Sequence, residues 1–140
     1  KAARAVMYHV LEGGLRLLSG STEFGQGTTT LFGQIVAETL GVPMGLVAVE
    51  TPDTKHVPNS GPTVASRTCM MVGRLLREAS LELRSAVAGA NGRFPATRAG
   101  LRAAARRVCA AAPERRFEAV YRKPDWVTWD DATYTGDATR

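Results

Sequence analysis

With 140 residues, 44% of them hydrophobic, the chain has apolar material for one domain or a large part of one, and disorder is not expected. No apolar run approaches the roughly 20 residues that span a bilayer, and KAARAVMYHV lacks a signal-peptide core with a small-residue cleavage site, so a soluble, cytoplasmic protein is expected. The net charge of +5 is uneven: from Arg93 to Lys123 there are nine Lys or Arg against Glu114 and Glu118, while positions 1 to 92 are close to balanced.

The chain opens on a hairpin pattern. AVMYHVLE and LRLLSG are strand-like runs on either side of Gly13 and Gly14, and glycine accepts the positive φ that tight hairpin turns need. TTTLFGQIVAETLG then sets Leu31, Phe32, Ile35, Val36 and Leu40 on adjoining stripes of a short helix that stops at Gly41, with Pro43 beyond it. LVAVE, from Leu46 to Glu50, has strand composition, and TPDTKHVPNSGPT after it reads as a long loop.

Cys69, Val72, Leu76, Ala79, Leu83 and Ala86 recur at steps of three and four, which predicts a long helix starting near Ser66 and ending before Gly89. A second, alanine-rich helix is predicted from about Thr97 to Ala112, with Arg98, Arg102 and Arg106 on one water-facing side and Pro113 as its stop. FEAVYRKP reads as a strand, and DWVTWDDATYTGDATR is polar and aromatic without a helical period. The order β-β-α-β-α-α-β implies an α+β fold with helices packed on a small mixed sheet. The first residues sit almost directly in a strand and the last break off in a turn-like stretch, so the chain reads as part of something longer.

Cys69 and Cys109 lie in helix-like patterns without Cys or His at ligand spacing, and read as buried free thiols; isolated His9 and His56 add no metal site. The basic block could contact nucleic acid. It has no interleaved aromatics for base stacking, however, and a solvated helix face accounts for it as well.

Two loops raise a sharper question. TEFGQGTTT, from Thr22 to Thr30, and NSGPTVASRT, from Asn59 to Thr68, each precede a helix and are rich in small residues. The first N–H groups of a helix lack internal partners and carry partial positive charge, so both loops suit an anion, with phosphate the natural guest. Thr63 or Ser66 could equally cap the second helix. Neither loop has the GxxxxGK[ST] or GxGxxG form. Together they suggest a phosphate-bearing polar cofactor lying across two helix starts.

GSTEFGQGTTTLFGQIVAETLGVP with VETPDTKHVPNSGPTVASRT resembles the molybdenum-binding subunit or domain of the xanthine dehydrogenase and aldehyde oxidase family, the molybdenum hydroxylases. The shared pattern is a T-E-[MF]-G-Q-G loop, an A-E-x-[LI]-G-[LIV]-P helix end and a D-T…P-[ND]-S-[GS]-P-T-x-A-S-[RV] loop; AVYRKPDWVTWDDATYTGDA is similar to the family's next segment. The resemblance implies an incomplete portion of a larger molybdenum cofactor-binding domain. Its cofactor is molybdenum-molybdopterin, in bacterial enzymes usually as the cytosine dinucleotide, with iron–sulfur clusters and FAD on partner domains or subunits.

By the same resemblance, Phe24, Gly25 and Gln26 line one side of the pterin and dinucleotide, while Ala65, Ser66, Arg67 and Thr68 offer N–H and hydroxyl groups to phosphate. The implied reaction is hydroxylation of a heterocycle or aldehyde with oxygen from water, electrons leaving through the iron–sulfur clusters. The family's base is a glutamate in a Gly-x-Gly-Glu motif absent from these 140 residues, so no catalytic or metal-ligating residue is assigned here and the chain alone should be inactive. Its partners would be the remaining segments of the molybdenum subunit. Glu23 reads as a hydrogen-bonded loop carboxylate, Arg67 as a possible phosphate partner, and His56 as a surface residue. The competing reading is a non-enzymatic nucleic-acid or nucleotide-binding module using the Arg93–Lys123 block.

Overall fold

The computed structural model describes residues 7–11, 13–57, 59–88, 92–111 and 117–137; the side chains of His9 and Cys109, and the helix stop expected at Pro113, lie outside the described residues, while the long helix ends at Val87, before Gly89 as expected. The two opening runs form the expected hairpin, β1 (Met7–Leu11) and β2 (Gly14–Leu18), paired antiparallel with Leu11 opposite Gly14. Gly13 turns between them at φ 98°. In β2 the side chains alternate, with Leu15 and Leu17 buried and Arg16 in solvent between them.

Helix α1 (Thr28–Leu40) buries Phe32, Val36 and Leu40, as its periodicity requires. It ends where glycine permits a left-handed residue: Gly41 sits at φ 70°, and its N–H and that of Val42 bond the carbonyls of Glu38 and Ala37. One 3₁₀ turn, Met44–Leu46, leads into β3 (Val47–Val49), which pairs parallel with β2 in the register Leu15 to Val47 and Leu17 to Val49. The sheet β1-β2-β3 is therefore small and mixed.

The long helix forms with a flaw. It runs as α2 (Ala65–Arg67), a π-helical turn (Thr68–Val72) and α3 (Gly73–Val87). The wider π turn rotates the residues before Val72 relative to an ideal helix, so Thr68 is buried while Cys69 is exposed. The expectation of a buried Cys69 thiol is corrected accordingly. Beyond the turn the predicted face holds: Leu76, Ala79 and Leu83 are buried against α1. Gly73 lets the helices close up, since a Cβ there would lie 3.0 Å from Ile35 Cδ1.

Helix α4 (Arg98–Ala111) covers the hairpin and α3 through Leu101, Ala104 and Ala105, and leaves Arg98, Arg102 and Arg106 in solvent as expected. FEAVYRKP is not a ladder strand. Phe117 is buried, Ala119 and Tyr121 are half-buried, and Val120 makes an isolated bridge, so among the described residues the alternating pattern serves side-chain packing rather than a ladder. The polar terminal stretch instead forms a hairpin, β4 (Thr128–Asp130) and β5 (Thr135–Asp137). Gly136 faces Trp129, where a Cβ would lie 2.5 Å from Thr128 O and 2.8 Å from the indole. Mixed α and β elements are thus observed, with the last strand of the expected order replaced by this pair.

Candidate functional site

Because β2 and β3 are adjacent and parallel, the loops leaving their C-terminal ends emerge side by side, the place where open α/β arrangements hold ligands. Residues 19–27 follow β2 and residues 50–64 follow β3. Two bonds tie them: the N–H of Gly20 donates to Ser60 Oγ at 3.0 Å and that of Thr22 to Thr63 Oγ1 at 2.9 Å. Ser60 is buried, so its hydroxyl is an anchor between the loops.

Between the tied loops lies a cavity of ≈ 210 Å³ lined by Phe24, Gln26, Thr28, Thr63, Val64, Ala65 and Thr68. Four of the seven residues expected at a cofactor, Phe24, Gln26, Ala65 and Thr68, therefore share one wall system. Gly25, Ser66 and Arg67 are near in sequence without lining it. Phe24 is 72% exposed, a large ring held at the mouth of the cavity with little packing of its own. A second cavity of ≈ 310 Å³, on the β3 side, is bounded by Ser21, Glu23, Thr29 and Thr51 among others.

The first loop is organised around Glu23. Its Oε1 accepts from the N–H of Gly25 at 2.7 Å and of Gly27 at 3.1 Å, and its Oε2 from that of Thr29 at 2.9 Å. Bonds from Thr29 and Gly25 are the main cause holding its carboxyl below the ordinary value. Glu23 is thus the hydrogen-bonded loop carboxylate that was expected, and it has a consequence the sequence did not reveal. The positive end of α1 already faces an ionised carboxylate, so one anion shared by both helix starts is not what the geometry offers.

Gln26 also serves the loop: its Nε2 donates to Thr22 O and to Thr28 Oγ1, both at 2.7 Å, and its Oε1 accepts from Phe24 N–H at 2.8 Å. Its amide pins the turn rather than reaching outward. Gly25 and Gly27 supply the positive φ, 110° and 82°, that lets this turn close.

The second loop differs. No side chain caps α2 at Val64; instead Thr68 Oγ1 accepts from Val64 N–H at 3.1 Å, and Thr63, a candidate cap, ties the loops together. Among the described residues no acceptor bonds the N–H groups of Ala65, Ser66 or Arg67. Ala65 stands at φ 40°, a strained value for alanine, in the wall of the cavity. Unpaired N–H groups at a helix start beside a cleft suit an anionic group. The Arg67 guanidinium is turned to its own backbone: Nη1 donates to Pro62 O at 3.0 Å and to Ser60 O at 3.3 Å. It clamps the loop rather than presenting its fork to solvent.

His56 is exposed, as expected, with Nδ1 2.6 Å from Asp53 Oδ2. The bond from Lys55 N–H, followed by that with His56, holds the Asp53 carboxyl below its usual range. Among the described residues no helix is long and apolar enough to cross a membrane.

The model of the molybdopterin cofactor-binding domain family matches residues 1–138. The putative xanthine dehydrogenase molybdenum-binding subunit of Escherichia coli is 42% identical over 77 residues, covering 54% of this chain and 10% of that protein. The xanthine dehydrogenase/oxidase of Gallus gallus is 32% identical over 77 residues, covering 55% and 6%. Among solved structures, the aldehyde oxidoreductase of Desulfovibrio gigas shares the fold, with a TM-score of 0.67 and 22% identity over 97% of this chain and 14% of that one. The chain thus matches about a tenth or less of the length of these curated relatives.

Proposed function

The chain belongs to the molybdopterin cofactor-binding domain family of the xanthine dehydrogenase and aldehyde oxidoreductase enzymes, and from that membership we propose that its two tied loops hold part of a molybdopterin cofactor in a molybdenum hydroxylase. The carrying observation is the cavity that brings Phe24 and Gln26 together with Ala65 and Thr68, beside N–H groups without acceptors among the described residues. When bound, the cofactor supplies the redox-active metal for hydroxylating an aldehyde or heterocycle with oxygen from water.

This chain's residues bind and orient. Ala65, Ser66 and Arg67 present backbone N–H groups to a phosphate, and Thr68 fixes the helix start behind them. Phe24 and Gly25 cover one face of the pterin, while Gln26 holds that turn in shape and lines the cavity with it. Glu23 neutralises α1 and repels a second anion, which steers phosphate towards the α2 side. The cytosine dinucleotide form, the iron–sulfur and FAD partners and the remaining segments of the molybdenum subunit belong to the same proposal. So does inactivity of the chain alone. The nucleic-acid reading is not favoured: family membership accounts for the chain, and Arg98 and Arg107 of the basic block donate to the carbonyls of Gly45 and Val87.

The test is a titration of the ¹⁵N-labelled chain with inorganic pyrophosphate, read at backbone amides. Saturable shifts at Ala65, Ser66 and Arg67, with Thr29 unmoved, are expected. Shifts confined to the arginines of α4, or none, would overturn the assignment.

A further inference from the structure

Away from both loops, α3 and the extended segment after α4 line an open cleft of ≈ 250 Å³, bounded by Arg74, Leu75, Glu78, Val120, Tyr121 and Arg122. Arg74 donates from Nε to Glu78 Oε1 at 2.8 Å, which orients its guanidinium along the helix. Arg122 and the Tyr121 hydroxyl make no hydrogen bond within the described residues. Tyr121 packs against the core, so the ring has a fixed seat.

We propose that this cleft binds a monocarboxylate carrying a small apolar body. Two guanidiniums against the single carboxylate of Glu78 leave one unit of positive charge on the lining, which matches a monoanion. A phosphate near its second ionisation brings about 1.5 to 2 negative charges, more than this lining offsets, and meets repulsion from Glu78. The donors suit a planar carboxylate, since guanidinium forks pair with it in two parallel bonds and a phenol adds a third. Leu75 and Val120 supply apolar wall for the rest of the ligand. None of these residues lines the cavity between the loops, so this site stands apart from the cofactor reading.

Benzoate is the probe, titrated into the full chain and followed by NMR at the methyls of Leu75 and Val120, with benzyl alcohol, inorganic phosphate and an acidic hexapeptide as comparisons. Saturable shifts with benzoate, weakened about tenfold or more by Arg122→Gln and less by Tyr121→Phe, are expected, because a charge-assisted hydrogen bond is lost. Far-UV circular dichroism establishes that the variants fold. No saturation by about 50 mM benzoate, a value where even weak specific binding would show, overturns the proposal. So does equal or tighter binding of benzyl alcohol, phosphate or the peptide, or indifference to Arg122→Gln.

Discussion

The carboxylate of Glu23 accepts a hydrogen bond at 2.9 Å from the backbone N–H of Thr29, in the first turn of α1. With the bonds from Gly25 and Gly27, it closes the loop onto the helix that follows. These bonds favour the ionised carboxylate and hold its pKa below the ordinary 4.5. The unfolded chain therefore takes up the proton first as pH falls. The stability from Glu23 is fully present above the unfolded value and is lost as pH drops through the lower folded value. Glu23→Gln should lower the melting temperature near neutral pH, and the gap to the unsubstituted chain should close as acid protonates Glu23. Thermal melts followed by circular dichroism between about pH 3 and pH 7 check this; a gap that does not vary with pH would contradict it.

The core makes a plainer prediction. Leu83 is fully buried on the face of α3 that meets α1, while Leu81, two residues earlier, is 41% exposed. Leu83→Ala leaves a cavity that the packed helices cannot close and should cost ~2–5 kcal/mol in urea unfolding. Leu81→Ala should cost less than ~0.5 kcal/mol. Comparable losses at both sites would mean that α3 has a different rotational phase.

Cys69 tests the π turn. In an unbroken α-helix in phase with Val72 and Leu76 its thiol would be buried; the wider turn places it in solvent. Ellman's reagent should label it in the native state, with peptide mapping used to separate it from Cys109. Cys69→Ser should change stability by no more than ~0.5 kcal/mol. A thiol that reacts only after denaturant is added would place Cys69 back in the core.

Where sequence and structure part, the reason lies in what a pattern encodes. FEAVYRKP does alternate, with Phe117 buried and Ala119 and Tyr121 half-buried, but side-chain alternation says nothing of whether a neighbouring strand exists to complete a ladder. The terminal hairpin escaped notice for the opposite reason: both strands are solvent-exposed, so no apolar face marks them, and their signals are Gly136 opposite Trp129 and the edge contact of Trp129 with Tyr134. The loops were legible as helix starts rich in small residues, and their closeness follows from parallel neighbours β2 and β3. Their division of labour was not legible. Nothing in the spacing says that Glu23 occupies one helix start while the N–H groups at Ala65 to Arg67 stay open, because both depend on which way a side chain folds back.

Arg67 and Gly61 carry the last prediction. Gly61 stands at φ 75°, and a Cβ there would lie 2.5 Å from Arg67 Nη2. Gly25, at φ 110°, has nothing within 4 Å of the same position. Gly25→Ala should therefore cost only backbone strain, ~1 kcal/mol. Gly61→Ala adds displacement of a guanidinium that bonds Ser60 O and Pro62 O, and should cost ~2–3 kcal/mol. Arg67→Ala removes the clamp at ~1 kcal/mol. Once Arg67 is gone the added methyl meets no guanidinium, so the double variant should be less destabilised than the sum of the two by ~1 kcal/mol. Chemical denaturation of the four proteins in this cycle measures that coupling. Strict additivity would show that the loop before α2 is held by its backbone alone, and that the Arg67 fork is available for an anion after all.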